Sequence, residues 1–546
     1  MTATTRILSR LMRLPAATHS RLSAERDLRA TMPDGAVLLA DRTWPAGRNG
    51  ELPTLLMRTP YGRRGLPAFE ARLFAERGYN VVVQSVRGTH GSGGVFEPFR
   101  NERTDGAATV EWIRDQPWFD GRLATFGSSY CGFTQLALAA GAGPEALHAM
   151  APAVASADLR GLFHPFGTFA LQSMLGWVQG LDTAGERSLP IALLRMRRSR
   201  AVLQRALSSL PVREADVIAT GAVQQFFRDW VDHDDLGDPY WDALDHRAAL
   251  SEGTAPTVLH AGWFDIFTPY QLADFEAIQA AGRDAELTVG PWNHGGGFGN
   301  RIRDALVLFN RQLAQRPVRR RTKPVHLQLH GDDRWLQYDS WPPPGIVTDR
   351  WHLHGGGALA RSSAGTSAPS TWSHDPRDPA PSIGGAALNG GGPRDNTARE
   401  SRADVLTFTS PPQPADVAML GTPRARLHVE STTGDFDIVA RLCVVDEKGV
   451  SRNLADGLVR LSGVAGPQVL DVDLWPTGAL IRRGQRLRLQ VSSALHPLYA
   501  RNLGSGEPAS KAITTVISRQ QLRHDAEHDS WLDLPTIDIT AQDVVA

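Results

Sequence analysis

The chain has little of what marks several functional classes. Only two cysteines occur in 546 residues, Cys131 and Cys443. Two cannot build a disulfide framework, and no CxxC or Cys/His cluster suggests zinc. Net charge is also missing: Lys plus Arg and Asp plus Glu each total 58. A chain without a basic excess is not built around nucleic acid or another polyanion. No stretch approaches the ~18 consecutive apolar residues of a membrane span. Near the N-terminus, arginines interrupt Ile7-Leu8-Ser9-Arg10-Leu11-Met12-Arg13-Leu14, whereas a secretory signal needs an unbroken apolar run of roughly seven or more. The expectation is a soluble cytoplasmic protein with no metal, no cofactor, no nucleic-acid partner and no membrane partner.

Composition is that of a globular protein, 42% hydrophobic and 21% charged. The length calls for two to four domains. The 52 glycines and 36 prolines fit a turn-rich β component.

Strand and helix signals alternate over residues 53–155. Leu55-Leu56-Met57 and Val81-Val82-Val83 read as strands buried on both faces. Residues 103–115 and Phe133 to Ala140 read as helices, and His148 to Pro152 as another strand. The alternation predicts a mostly parallel α/β sheet. Residues 156–245 differ. Phe163 to Gly180, Ile191 to Leu207 and Ala215 to Val231 have helical periodicity, which predicts a helical insertion. Arg195, Arg197, Arg198 and Arg200 on it read as a solvated helix face. The α/β pattern resumes with Pro256 to His260 and Leu287 to Val289, followed by a helix at 302–316. From about residue 346 short alternating strands follow turn clusters: Val405 to Phe408, Ala425 to Val429, Ile438 to Val445, Val469 to Leu474 and Leu487 to Val491. A β-sandwich or jelly roll fits. The expected division is 1–155 and 246–345 for the α/β domain, 156–245 for a helical cap, and 346–546 for the β domain.

The chemistry centres on Gly127-Ser128-Ser129-Tyr130-Cys131-Gly132, which lies between a strand-like segment and a helix. That is the setting of a nucleophile elbow, a sharp turn that lifts one serine hydroxyl above the sheet. Such a serine needs an acid and a histidine later in the chain, each on a loop after a strand. Asp265 follows the strand ending at His260, and His294 follows the strand ending at Val289. Order and strand context therefore predict a Ser129–His294–Asp265 triad. His294 would take the serine proton and return it to the leaving group, with Asp265 holding the imidazole. His90, His164, His260, His330 and His496 lack this context and read as structural or surface residues.

Together these segments resemble the cocaine-esterase-type α/β-hydrolases, related to the X-prolyl dipeptidyl aminopeptidases and the α-amino ester hydrolases. The resemblance runs from about residue 28 to about residue 540. It is carried by Arg58-Thr59-Pro60-Tyr61, Val86-Arg87-Gly88, the Ser129 elbow, Ala261 to Asp265, and Gly290-Pro291-Trp292-Asn293-His294. Ser373-His374-Asp375-Pro376 and Asp456-Gly457 are similar to the family's β domain. The resemblance implies an α/β-hydrolase fold with an inserted helical cap and a C-terminal jelly-roll domain. It implies that the Tyr61 hydroxyl and the Tyr130 backbone N–H form the oxyanion hole, each donor in such sites being worth ~3 kcal/mol. On its own residues Tyr61 reads as a packed strand-end tyrosine.

Trp177 and Phe267 are similar to aromatics that line the family's acyl pocket, while core packing explains both equally well. Two departures stand out. Ser85 occupies a position where relatives often carry aspartate, which predicts a missing charge pair. Cys131 occupies a position where a glutamate is common in the α-amino ester hydrolases, which weakens recognition of an α-ammonium group; the cysteine reads as a packed residue rather than a second nucleophile. The expected partner is a small-molecule ester or amide. X-Pro dipeptide release and a non-catalytic carbohydrate-binding role are the competing readings, and the oligomeric state is open, a homodimer included.

Overall fold

A computed structural model describes residues 9–48, 52–183, 189–318 and 320–545; the side chains of residues 182–198 lie outside the description. Of the arginine cluster, only Arg200 has a described side chain, and it is exposed.

Ten strands form the first sheet: β1 (Leu22–Thr31), β2 (Val37–Pro45), β3 (Leu52–Thr59), β4 (Asn80–Ser85), β5 (Phe119–Ser128), β6 (Ala149–Ala153), β7 (Thr257–Phe264), β8 (Ala285–Asn293), β9 (Val325–Gln328) and β10 (Trp335–Tyr338). Their order is β1-β2-β4-β3-β5-β6-β7-β8-β9-β10. From β4 to β9 every pairing is parallel. At the edges, β1–β2, β2–β4 and β9–β10 are antiparallel. Every residue of β3, β4 and β7 is buried, as expected of parallel strands covered by helices on both faces. The N-terminal hairpin β1–β2 has no counterpart in the sequence expectation. Its outer strand β1 is largely exposed, so it lacks the apolar run that exposes a buried strand to sequence reading.

The covering helices are α1 (Leu66–Ala75), α2 (Glu102–Arg114) and α3 (Tyr130–Ala142). Helices α4 (Leu171–Thr183), α5 (Leu189–Ser208), α6 (Ala215–Thr220) and α7 (Gln225–Asp232) lie between β6 and β7, and α8 (Thr268–Ala280) and α9 (Phe298–Gln312) follow. Two expected cap helices are each divided. The first breaks at Pro165, which lacks an N–H for the helical ladder, and Phe166 sits at φ 58°. The second ends after Thr220, where Gly221 takes the left-handed conformation at φ 82°.

The C-terminal part is β-rich. It carries thirteen strands, from Val347–His354 to Trp531–Thr536. Among the described strands the pairings are antiparallel apart from one parallel contact, Ala358 with Thr409. All five expected strands are present within one or two residues: Leu406–Thr409, Arg424–Ser431, Phe436–Val445, Gln468–Asp473 and Arg486–Ser492. Asp456 of the Asp456-Gly457 motif is fully buried and pairs with equally buried Arg441. A Cβ on Gly457 would come 2.5 Å from the Asp473 carbonyl oxygen, so the strands approach too closely there for any other residue. One hydrophobic core runs continuously through the cap and the β domain, from Phe163 and Trp230 to Trp372 and Leu489. No described helix is long and apolar enough to cross a membrane.

Candidate active site

Strand β5 runs directly into α3 through Ser129. The turn is possible because two side chains are absent. Gly127 lies at φ 141°, and a Cβ there would stand 2.6 Å from Cys131 Cβ; a Cβ on Gly132 would stand 2.5 Å from Ala155 Cβ. Ser129 itself is held at φ 59°, ψ −128°, a region that costs a non-glycine residue on the order of 1–3 kcal/mol and clusters at functional sites. Its N–H donates to the Ala153 carbonyl at 2.9 Å, which pins the strained residue to β6.

Asp265 and His294 leave the ends of β7 and β8. Asp265 is 1% exposed. Its Oδ1 accepts the Phe267 N–H at 2.8 Å, and its Oδ2 lies 2.6 Å from His294 Nδ1. A carboxylate at that distance fixes the proton on Nδ1 and leaves Nε2 as the basic nitrogen. Phe267 stacks on the imidazole at 5.7 Å and borders the same cavity as Ser129. Among the described residues Ser129 and His294 make no hydrogen bond with each other, a looseness common in unliganded hydrolases.

The Ser129 hydroxyl meets the Tyr61 hydroxyl instead. Trp177 Nε1 donates to that same Tyr61 oxygen at 3.0 Å. An indole N–H can only donate, so Tyr61 must accept from it and is left with its own O–H proton to give away. That proton is free to be given to an oxygen beside Ser129. Trp177 therefore does more than wall a pocket: it orients the proposed oxyanion donor. Burial pushes the Tyr61 hydroxyl pKa up, and it remains a neutral donor at neutral pH.

Tyr130 begins α3, where the first N–H groups of a helix have no intrahelical acceptor. Its backbone is thus available beside Ser129, while its side chain is fixed elsewhere. The ring stacks on Phe99 at 4.4 Å and on Trp177 at 6.1 Å. Its hydroxyl donates to Glu102 Oε1 at 2.7 Å and accepts the Phe99 N–H at 3.0 Å. Glu102 is itself buried and pairs through Oε2 with Arg58 at 2.6 Å. Sequence reading singled out neither Phe99 nor Glu102, and Arg58 only as part of a motif.

The two departures resolve differently. Cys131 is buried, and burial pushes its thiol up to about 12, so it is packing rather than a nucleophile. The charge pair expected to be missing at Ser85 is relocated: Arg63 donates to the Ser85 hydroxyl at 2.7 Å and to Asp41 Oδ1 at 3.0 Å, and also pairs with Asp27. The carboxylates come from the N-terminal hairpin.

Above Ser129 lies an apolar cavity of about 20 Å³ bordered by Phe99, Leu162, Phe163, Met174, Trp177, Trp230, Phe267 and Leu388. That is room for roughly one water. Trp177 and Phe267, the two aromatics the resemblance singles out, both border the cavity. Trp230 and Leu388 come from the end of the cap and from the β domain, and no local pattern marks them. The described lining contains no carboxylate.

Known proteins place this arrangement. Residues 34–296 match the family model of the X-Pro dipeptidyl-peptidase (S15 family), and residues 318–533 that of the X-Pro dipeptidyl-peptidase C-terminal non-catalytic domain. The chain is 31% identical to cocaine esterase of Rhodococcus sp. (strain MB1 Bresler), over 93% of this chain and 97% of that one. An aminopeptidase from a marine sediment Thaumarchaeota archaeon superposes with a TM-score of 0.78 at 22% identity, covering 96% of this chain and 98% of the other. An α-amino acid ester hydrolase gives 0.77 at 19% identity, with the same coverage. The last two establish the fold; identity and coverage together establish the lineage. The chain belongs to the cocaine-esterase-type family of serine hydrolases, on an α/β-hydrolase fold that carries a C-terminal β domain.

Proposed function

We propose that this serine hydrolase cleaves carboxylic esters of small molecules through an acyl-enzyme, with Ser129 as nucleophile, His294 as general base and acid, and Asp265 as the group that orients the imidazole. The observation that carries the reading is the 2.6 Å contact between His294 Nδ1 and the buried Asp265 carboxylate, with Phe267 stacked on that imidazole and bordering the cavity of a serine held at φ 59°. The division into 1–155, 156–245, 246–345 and 346–546 is part of the proposal, drawn from the helices that fill the interval between β6 and β7.

In the first half-reaction His294 Nε2 takes the Ser129 proton as Oγ attacks the ester carbonyl. The Tyr61 O–H and the Tyr130 N–H receive the developing oxyanion. His294 then returns the proton to the leaving alkoxide, and the acyl group stays on Ser129. Water, activated by the same imidazole, repeats the sequence and frees the acid. Trp177 and Phe267 would meet the acyl group, which favours apolar acyl chains.

Release of X-Pro dipeptides is the second reading, since the family models carry that name. It needs an acidic group for the substrate's free amine, and the described cavity lining supplies none. Assaying p-nitrophenyl acyl esters beside an X-Pro p-nitroanilide separates the two. Ester turnover without anilide turnover is expected, and preferential anilide turnover would overturn the esterase reading. Ser129→Ala should abolish hydrolysis and leave the circular dichroism spectrum unchanged. Hydrolysis surviving that substitution sinks the mechanism.

A further inference from the structure

The two proposed oxyanion donors sit on different parts of the chain. Tyr61 follows the end of β3, and Tyr130 opens α3. Both must converge on one oxygen to within a few tenths of an ångström, because donors help only at about 2.7–3.1 Å from where the charge develops. Something must hold the two segments in register.

One carboxylate reaches both. Glu102 is 3% exposed and stands at the start of α2. Its Oε2 accepts from Arg58 Nη1 at 2.6 Å, and Arg58, 2% exposed, lies three residues before Tyr61. Its Oε1 accepts from the Tyr130 hydroxyl at 2.7 Å. Around this bridge further bonds are made, although Arg58 Nη2 and Gln84 Nε2 find no partner among the described residues. Arg58 Nε donates to Gln84 Oε1 at 2.9 Å, and Arg58 Nη1 donates a second bond to the Glu102 carbonyl at 3.1 Å. The Thr134 hydroxyl of α3 reaches the Arg58 carbonyl at 3.4 Å. The Tyr130 oxygen accepts the Phe99 N–H at 3.0 Å, and the Phe99 ring packs against both Tyr130 and Trp177, the residue whose indole N–H donates to Tyr61.

We infer that Glu102 is a positioning residue for the oxyanion hole: its buried carboxylate clamps the Tyr61 segment, through Arg58, to the elbow helix, through the Tyr130 hydroxyl. The inference rests on the proposed roles of Ser129, Tyr61 and Tyr130. A buried ion pair is weak evidence for stability, because desolvation opposes the Coulomb gain. It is better suited to fixing geometry, and here both ends of the carboxylate attach to segments that carry donors.

The test compares Glu102→Gln, Tyr130→Phe and the double variant. Rates are expressed per serine titrated with a fluorophosphonate, so that a merely less-folded sample does not register as slow. Each single variant is expected to lower kcat by about 5- to 50-fold with KM changed less than about twofold, short of the ~10²–10³ lost when a donor is removed outright. Affinity for phenylboronic acid, which forms a tetrahedral adduct on the serine, should fall in parallel with kcat. The double variant should be little worse than either single one, since both cut the same bridge. Wild-type kcat per titrated serine in Tyr130→Phe, which removes only one hydroxyl, overturns the inference even if Glu102→Gln does not fold. A rise in KM at constant kcat also overturns it. The dependence on the serine reading separates cleanly. If Ser129→Ala stays active, the nucleophile assignment fails; if Ser129→Ala is inactive while both other variants keep full kcat, only the role of Glu102 fails.

Discussion

At the scale of single residues, the site is assembled from groups with no freedom to be otherwise. Ser129 carries the backbone strain at φ 59° in a turn that closes only because Gly127 and Gly132 have no Cβ. Tyr61 accepts from Trp177 and keeps its own O–H proton free to donate. This makes Tyr61→Phe a sharp probe. It removes the hydroxyl and keeps the ring, so substrate binding should persist while the oxyanion loses a donor. We expect kcat to fall by about 10²–10³, equivalent to roughly 3–4 kcal/mol, with KM within about threefold of wild type. Stopped-flow hydrolysis of p-nitrophenyl butyrate reads both parameters, and a kcat within threefold of wild type would remove Tyr61 from the oxyanion hole. The identity of Tyr61 as a donor came from resemblance alone, since a strand-end tyrosine reads equally well as packing. The identity of Trp177 as its orienting partner had no sequence signal, because indole N–H geometry is set by a helix over a hundred residues away in the chain.

At the scale of elements, the sheet and the positions of Asp265 and His294 after its strands are the legible part. Strands β3, β4 and β7 are buried at every position, so their apolar runs are continuous. Asp265 and His294 then fall in the loops after β7 and β8 by chain order alone. What stayed hidden was contact between elements that share no local pattern: the β1–β2 hairpin that supplies Asp27 and Asp41 to Arg63, and the neck of the cap. At that neck the entering and leaving chains clasp. Asp158 bridges Asp245, Arg160 pairs with both at 3.0 and 2.9 Å, and the His246 N–H donates to the Ala157 carbonyl. Beneath them Asp274 on α8 accepts the Ala157 N–H at 2.9 Å. Burial raises the Asp274 carboxyl to about 7, with Asp158 pushing the same way and the Ala157 N–H, Ser156 and Arg247 opposing. A raised carboxyl means that the folded protein holds a proton the unfolded chain has released. Its contribution to stability is complete below about pH 4 and is lost as pH rises through about 7, on the order of a few kcal/mol in all. Asp274→Asn keeps an oxygen for Ala157 and removes that dependence. The variant should therefore gain stability over wild type at pH 8 and show little or no gain at pH 4.5. Urea midpoints at the two pH values check it, and an equal difference at both would show that Asp274 does not titrate with folding.

At the scale of the whole molecule, the cavity proposed to take the acyl group belongs to no single part of the chain. The hydrolase part gives Ser129, Tyr130 and Phe267, the cap gives Trp177 and Trp230, and the β domain gives Leu388. The β domain is anchored from two sides. Leu480 and Gly478 exchange backbone bonds with His330, and a Cβ on Gly478 would lie 2.6 Å from the Trp263 ring. Against the cap, the Leu388 N–H donates to Ser173 Oγ at 3.3 Å and Gln172 Nε2 to the Asn389 carbonyl at 3.1 Å. Leu388 is thus a wall held by its own backbone, placed far beyond the triad in the chain, and its side chain is only half-buried. Removing it should enlarge a cavity that now holds about 20 Å³ without unseating the domain. Since a methylene in an apolar pocket is worth roughly 1–3 kcal/mol of discrimination, Leu388→Ala should raise kcat/KM for hexanoyl over acetyl p-nitrophenyl esters by about tenfold. It should cost folding no more than about 2 kcal/mol, because a half-buried leucine leaves a site open to solvent and to relaxation. The same ratio measured for Trp177→Ala gives the scale of a full wall lost. If Leu388→Ala leaves the acyl-length profile of the wild type unchanged, the β domain supports the fold but does not shape the pocket, and specificity lies with the cap alone.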